Sequence, residues 1–440
     1  MTEGNPARRI IVFAIPLLAG ELLHIFYSMT DAFIVGRWLG LNGLAAVGAS
    51  QSLVWTVLGF IIGFTGGFII ITTQRVGAGD ENGIRSSTAA GLILSAAATV
   101  ILTLILLPLN RPILSAMRTP LEILDETADY AMIMFIGIAA FMFTNFFIGI
   151  IHAAGDSFTP MIFMVIATAC NIVLDILFVV VFSWGVGGAA AATVISEIIA
   201  GMLSVVFLLR KFRRFLPERR DWRAGWADTG RHLSMGIAMA LQRSIVEAGN
   251  ILVQAAMNSL GALTIAAVSA AQRVRGLNMM PMFAVSRALA TYTAQNFGAK
   301  KIDRVYKGIF QACLISLALS AFMAVLNQFT GAPIVSLFLT DNPEAVALAK
   351  QYVLITGYTV FILGIMLVFR SALQGLGMKT APILCGVMET VMSILAAFIL
   401  IPQLGFIGVC LVNPLSWFAS GIPLYIAFGV FRKKINQEKL

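Results

Sequence analysis

Again and again along this chain, apolar residues run on almost without a charge for about 18 positions or more. That is the length an α-helix needs to cross the hydrocarbon core of a bilayer. Twelve such spans fall between residues 10 and 431. Barrel strands would instead alternate apolar and polar residues over about ten positions, and no such alternation is seen. The chain therefore reads as an all-α integral membrane protein. Composition agrees: 59% of the 440 residues are hydrophobic and 12% are charged, roughly half the charge of an ordinary soluble domain.

The charges that remain carry information by position. The net charge of +9 does not imply a nucleic-acid partner, because the basic residues lie between spans rather than along one face. They concentrate in the connections that share a side with the N-terminus. The positive-inside rule then puts both termini in the cytoplasm of a multi-pass cell-membrane protein. The one long hydrophilic connection, around residues 210–231, holds eight Lys or Arg. It divides the chain into a six-helix lobe (1–211), a basic cytoplasmic linker (212–230) and a second six-helix lobe (231–440). The N-terminal apolar run continues past Glu21 and His24 without a convincing cleavage site, so it reads as a retained first helix. Cys170, Cys313, Cys385 and Cys410 all fall inside spans, without metal-ligand spacing, and read as packing residues.

The halves repeat. Residues 39–51 lie over residues 260–272 at an offset of 221, and Gln74 meets Gln295 at the same offset. Gly155 meets Gly377 and Pro160 meets Pro382 at 222; Gly188 meets Gly408 at 220. Each copy has an even number of spans, so both insert with the same topology. Two parallel repeats with a pathway between them are a transporter architecture.

Duplication also shows where the copies differ. Asp31 pairs with Leu252, Asn171 with Ser393 and Asp175 with Ala397. Asn171 and Asp175 are four apart, on one helix face. On the first span Glu21, His24, Ser28 and Asp31 fall in a stripe of roughly 80°, with Tyr27 on its border. A polar stripe in lipid must face protein or water, and an intramembrane acid marks an ion or substrate path by default. Asp31 and Asp175 together can hold one proton or chelate a hard monovalent cation such as Na+, with Asn171 and Thr193 supplying neutral oxygens. In the second half, Glu247 stands four residues from Arg243, spacing that would let the two neutralise each other, whereas Glu389 has no basic neighbour nearby in sequence.

Other chemistries lack their residues. The glycines at 63, 66, 67, 185, 187 and 188 suit close helix packing or bends, and no Walker Lys follows them, so this chain does not drive transport with ATP. The three histidines, at 24, 152 and 232, are scattered, which argues against an intramembrane enzyme. No cofactor is expected.

Several segments together resemble the multidrug and toxic compound extrusion (MATE) family. They are residues 15–36, the Leu44-Ala45-Ala46-Val47-Gly48 that follows, residues 74–80, residues 154–160, residues 171–178 and residues 294–300. The resemblance spans essentially the whole chain. It implies a V-shaped, twelve-helix, two-lobe exporter whose lobes rock, driven by inward H+ or Na+ and exporting amphiphilic, often cationic, small molecules. In the DinF-like branch, which the first half resembles, the cation site uses an Asp on the first helix, an Asn and Asp four apart on the fifth, and a Thr on the sixth. Asp31, Asn171, Asp175 and Thr193 stand at those positions; Asn145 adds a polar group from the fourth helix, and Pro16 matches a proline where the first helix bends. Glu247 and Glu389 fall on helices where another branch binds its cation, but their local register departs from that pattern. With Tyr27 they are candidates for a substrate cavity. The expected partners are small-molecule substrates and the lipid bilayer, with the protein a monomer. The competing reading is a flippase of lipid-linked precursors from the wider superfamily.

Overall fold

The computed structural model describes residues 1–258, 260–337, 339 and 342–438, and among these all regular structure is helical. Thirteen α-helices follow in order: α1 (Pro6–Trp38), α2 (Gly40–Ala78), α3 (Glu81–Ala116), α4 (Leu121–Ile136), α5 (Ile138–Ala153), α6 (Phe158–Asp175), α7 (Gly185–Lys211), α8 (Asp221–Asn258), α9 (Ala262–Gly298), α10 (Ile302–Ser336), α11 (Pro343–Gly375), α12 (Thr380–Leu404) and α13 (Phe406–Glu438). Nine of them are individually long and apolar enough to cross a membrane; α4 and α5, bent by 45° where they meet at Gly137, make a tenth together. The two others, α8 and α9, have 38 and 37 residues and ample reach. Their lower hydropathy has a local cause, since each turns polar side chains inward: Gln242 on α8 and Ser286 on α9 are buried.

Local sequence sets the helix ends. Gly79 closes α2 in the left-handed region, its N–H donating to the Val76 carbonyl at 3.1 Å, and Asp80 caps α3 by accepting from Gly83 N–H at 2.9 Å. Asn342 caps α11 in the same way from Ala345 N–H, ahead of Pro343 in the first turn.

The repeat register is written in these turns. Positive-φ residues occur at Gly40 and Gly261, at Gly79 and Lys300, at Gly155 and Gly377, and at Gly185 and Gly405, pairs that lie 221, 221, 222 and 220 residues apart. The duplication read from side chains is therefore also a duplication of backbone turns. The copies differ in two places. The single helix α11 stands where the first half has the broken pair α4–α5. In addition, α6 passes at Asp175 into a π-helical turn (Ile176–Val181), whereas α12 runs on without one. Single π turns inside helices are uncommon and gather at functional positions.

The helices pack as two compact units, Ile15–Ala240 and Met1–Ala14 with Leu241–Leu440, so that α1 and α8 each contribute to both. In the first unit α5 sits centrally against α2, α3 and α7. The N-terminal half of α8 crosses α2 at very short range: a Cβ at Gly67 would lie 2.6 Å from the Gly236 Cα, and one at Gly63 would lie 2.8 Å from the Ala240 Cα. Small residues at a membrane crossing let backbones approach and gain dispersion contact that lipid cannot supply. Nearby, His232 Nε2 meets Ser87 Oγ at 2.6 Å, Ser87 bonds Thr72 Oγ1 at 2.9 Å, and Asp228 faces the other ring nitrogen while pairing with Arg75. This Ser–His–Asp order resembles a hydrolase triad. Ser87 and His232 are both fully buried, however, with no path for a substrate, so the network serves as a polar staple joining α2, α3 and α8.

In the second unit α11 is the hub, packed on α9, α10 and α13, while α12 lies along α13. The C-terminal half of α8 joins this unit through Thr390 Oγ1, which donates to the Ile245 carbonyl at 2.9 Å, and through Gln374, which donates to Gln242 Oε1 at 3.1 Å.

Candidate functional site

Three polar residues of the Ile15–Ala240 unit are almost completely withdrawn from solvent: Asp31 is 6% exposed, Asn171 1% and Asp175 0%. Asp31 comes from α1. Asn171 and Asp175 share the buried face of α6, one turn apart, and Asp175 is its last residue before the π turn. The charges of Asp31 and Asp175 lie within range of one another, and both reach Tyr27 on α1 and Tyr130 on α4. Among the described residues nothing hydrogen-bonds either oxygen of Asp175, the amide of Asn171 or Oδ1 of Asp31. No Lys or Arg pairs with either acid there. Orphaned buried oxygens of this kind are costly unless something compensates them.

Thr193 on α7 joins the group through Tyr27. The two hydroxyl oxygens lie 2.7 Å apart, and Thr193 Oγ1 also donates to the Ala189 carbonyl at 3.1 Å. A hydroxyl has one proton, so with Thr193 spending its own on Ala189, Tyr27 must be the donor between them. Thr193 keeps a lone pair for a further partner. Asn145 on α5 donates its amide to the Phe141 carbonyl of its own helix at 2.9 Å, leaving its Oδ1 as its remaining acceptor; no contact ties it to the acids. Pro16 lies inside α1 and removes the backbone bond that the Val12 carbonyl would otherwise receive.

Glu247 and Glu389 belong to the other unit, and there the local chemistry goes beyond what sequence spacing suggests. Glu247 is exposed and accepts from Asn250 Nδ2 at 3.2 Å, one turn further along α8. Glu389 has a basic partner after all: Arg370 on α11 brings a guanidinium nitrogen to 3.9 Å, nineteen residues away in sequence and invisible to a search of near neighbours. Among the described residues no group of three or more His, Cys, Asp or Glu is arranged to hold a metal. The Asp31–Asp175 set is instead two carboxylates with neutral oxygens around them. Such a donor set suits a proton or one hard monovalent cation.

Two residues escaped the sequence reading. Tyr130 is buried beside the acids, and nothing in its span marks it out. Glu197 on α7 carried a signal that went unused, being an acid one turn beyond Thr193 in an otherwise uncharged run.

This arrangement can be set beside known proteins. The sequence profile of the MatE family matches residues 16–177 and again residues 238–399, one copy in each half of the chain. The chain belongs to the MatE family. It is thus a MATE transporter, with twelve membrane-spanning helices in two six-helix halves. Among its relatives is a probable multidrug resistance protein, YpnP of Bacillus subtilis (strain 168), 27% identical over 376 residues, covering 86% of this chain and 84% of that protein. An FAD transporter of Shewanella oneidensis is 24% identical, covering 96% and 94%. The crystal structure of a MATE protein in the bent conformation superposes with a TM-score of 0.86 at 22% identity, over 99% of this chain and 97% of that one, and this likeness supports the fold.

Proposed function

We propose that this MATE transporter is an antiporter, coupled to H+ or Na+, that exports amphiphilic and often cationic small molecules by alternating access of the rocking type. The observation that carries the reading is the Asp31–Asn171–Asp175 set, with two acids buried together and no basic partner. A bare pair of buried carboxylates is held apart by repulsion and desolvation, so at least one must be neutralised by a proton or a cation. An occupancy that the protein requires in one state and can release in another is what an antiporter needs. Thr193 and Asn171 would supply neutral oxygens to such an ion, and Asn145 a further one should its helix shift. Glu247, Glu389 and Tyr27 are proposed to meet substrate.

The multidrug relatives favour a drug-like cargo over the lipid-linked precursors a flippase would move. The basic linker at 212–230 and the bias of Lys and Arg support cytoplasmic termini in a cell-membrane protein of two lobes, 1–211 and 231–440, working as a monomer without a resident cofactor. The test is efflux of a fluorescent cation from proteoliposomes under an imposed ΔpH or an imposed Na+ gradient. One gradient should drive it and the other should not. Efflux indifferent to both would overturn the coupling.

A further inference from the structure

Glu197, midway along α7, is an acid of the first unit that belongs neither to the Asp31–Asp175 set nor to the polar stripe of α1, and its surroundings are informative. It stands 12 residues from the start of α7 and 14 from its end, hence about 18 and 21 Å along the helix axis and near mid-membrane. Residues seven positions apart share a helix face, and on that face Ala190 and Ser204 are both 0% exposed. The lipid-facing side of α7 is the other one, where Ile198, Met202, Val206 and Leu209 are exposed. Yet Glu197, in the middle of the buried column, is only half-buried. The Glu197 side chain is thus turned away from the lipid-facing side of α7 and is not fully enclosed by its protein neighbours.

Its carboxylate also has no partner. Its backbone carbonyl accepts from Thr144 Oγ1 at 3.0 Å, but among the described residues nothing hydrogen-bonds or ion-pairs with the carboxylate. The neighbouring surface is built from the break between α4 and α5: a Cβ at Gly137 would lie 2.4 Å from Val194, and one at Gly201 would lie 2.5 Å from Thr144 Oγ1. The 45° bend at Gly137 is therefore fitted against α7 within one turn of Glu197, with apolar and hydroxyl groups around it.

We propose that Glu197 is the carboxylate with which the Ile15–Ala240 unit recognises the cationic head of a transported organic amine, at a subsite separate from the Asp31–Asp175 set. The inference rests on the exporter reading above. An intramembrane acid is costly unless it meets a countercharge, and a structural acid would show its partner. A bare inorganic cation needs several oxygens around it. An organic ammonium needs a single carboxylate and apolar walls, and that is what Glu197 and its neighbours offer.

The test is binding of ethidium, a permanent organic cation, and of neutral N-phenyl-1-naphthylamine to the purified full-length protein in detergent, read by fluorescence without any ion gradient. Because no gradient is applied, the result does not depend on whether Asp31 and Asp175 couple transport, which their own variants test separately. Glu197→Gln should weaken ethidium at least about tenfold and leave the neutral probe within about twofold, with Glu197→Asp in between. Unchanged ethidium binding, or an equal loss of both probes in a protein that elutes as the parent does, overturns the proposal. Should Glu197→Gln fail to fold, the parent protein gives the answer. Dicyclohexylcarbodiimide should modify Glu197, seen by peptide mass, and ethidium should slow that modification; labelling that ethidium leaves untouched overturns the subsite.

Discussion

The hydroxyl of Tyr27 donates to that of Thr193 across 2.7 Å, tying α1 to α7 beside the two buried acids. The bond orients a neutral oxygen without adding charge. Thr193→Ala should therefore reduce gradient-driven efflux only several-fold, in keeping with one neutral hydrogen bond or oxygen ligand worth about 1 kcal/mol. Tyr27→Phe removes the donor but keeps the ring, and should lie in the same range. Initial efflux rates at matched expression decide it: a complete block from either variant would mean that the hydroxyl pair does more than position an oxygen.

Adjacent glycines on α2 should respond in opposite ways. A Cβ at Gly67 would meet the backbone of Gly236 at 2.6 Å, whereas one at Gly66 would meet nothing within 4 Å. Gly67→Ala forces α2 and α8 apart and should cost about 1–3 kcal/mol, an overpacking effect. Gly66→Ala leaves the packing alone and gains helix propensity. Thermal unfolding in detergent should show a clear drop in midpoint for the first and none for the second. Equal midpoints would mean that the helices part freely at that crossing.

Most of the architecture was legible because lipid permits so few solutions. Continuous apolar runs had to be helices, and the spacing of turn glycines such as Gly155 and Gly377 betrayed the duplication. The acids Asp31 and Asp175 stood out for the same reason, since charge is conspicuous where almost none is tolerated. Contacts distant in sequence were not legible. Arg370 and Glu389 meet through the packing of α11 on α12, Ser87 and His232 through α3 on α8, and Asp175 gains its π turn from backbone adjustments that no residue type announces. The basic loop looked like the natural place to divide the chain. Contact groups the residues as Ile15–Ala240 and as Met1–Ala14 with Leu241–Leu440, a grouping in which α1 and α8 each supply residues to both units because the two ends of one continuous helix can pack with different neighbours.

The Arg370–Glu389 pair lends itself to a double-mutant cycle. Both side chains are largely buried, 18% and 13% exposed, so removing either charge strands the other in a poorly solvated place. Arg370→Gln and Glu389→Gln should each lower stability, and the double variant should lie closer to the parent than the two single losses combined. Strict additivity of the melting shifts would show that the 3.9 Å approach carries no coupling.

The first residues dock on the second unit: the Met1 amine donates to Gln295 Oε1 at 2.7 Å, and Arg304 holds the Gly4 carbonyl at 2.9 Å. Burial, then the positive charges of Arg9 and Arg304, push the Met1 amine below its ordinary value of 8.0. The docked amine thus sheds its proton more readily than a free one, so the undocked segment binds more protons in the window just below pH 8. Docking must strengthen as pH rises through that window and weaken as it falls. A spin label at Glu3→Cys should show a growing mobile component on acidification from pH 8. A mobile fraction that shrinks on acidification would reverse the sign.

Asp31 and Asp175 carry the strongest expectation. Linkage between ion and drug is a reciprocal free energy, so a variant that no longer distinguishes the loaded from the unloaded ion site cannot transmit a gradient. Asn at either position keeps the volume and removes the charge, and it leaves the buried cluster easier to accommodate, because one of two repelling acids is gone. Asp31→Asn and Asp175→Asn should accordingly insert and fold at least as well as the parent, with melting points equal or higher, yet lose efflux against a concentration gradient. Downhill equilibration of the same dye should persist, since only the coupling has been removed. The decisive comparison is uphill efflux by each variant in proteoliposomes of matched protein content. If both pump like the parent, the buried acids are structural, and coupling must be sought at Glu247 and Glu389 in the other unit.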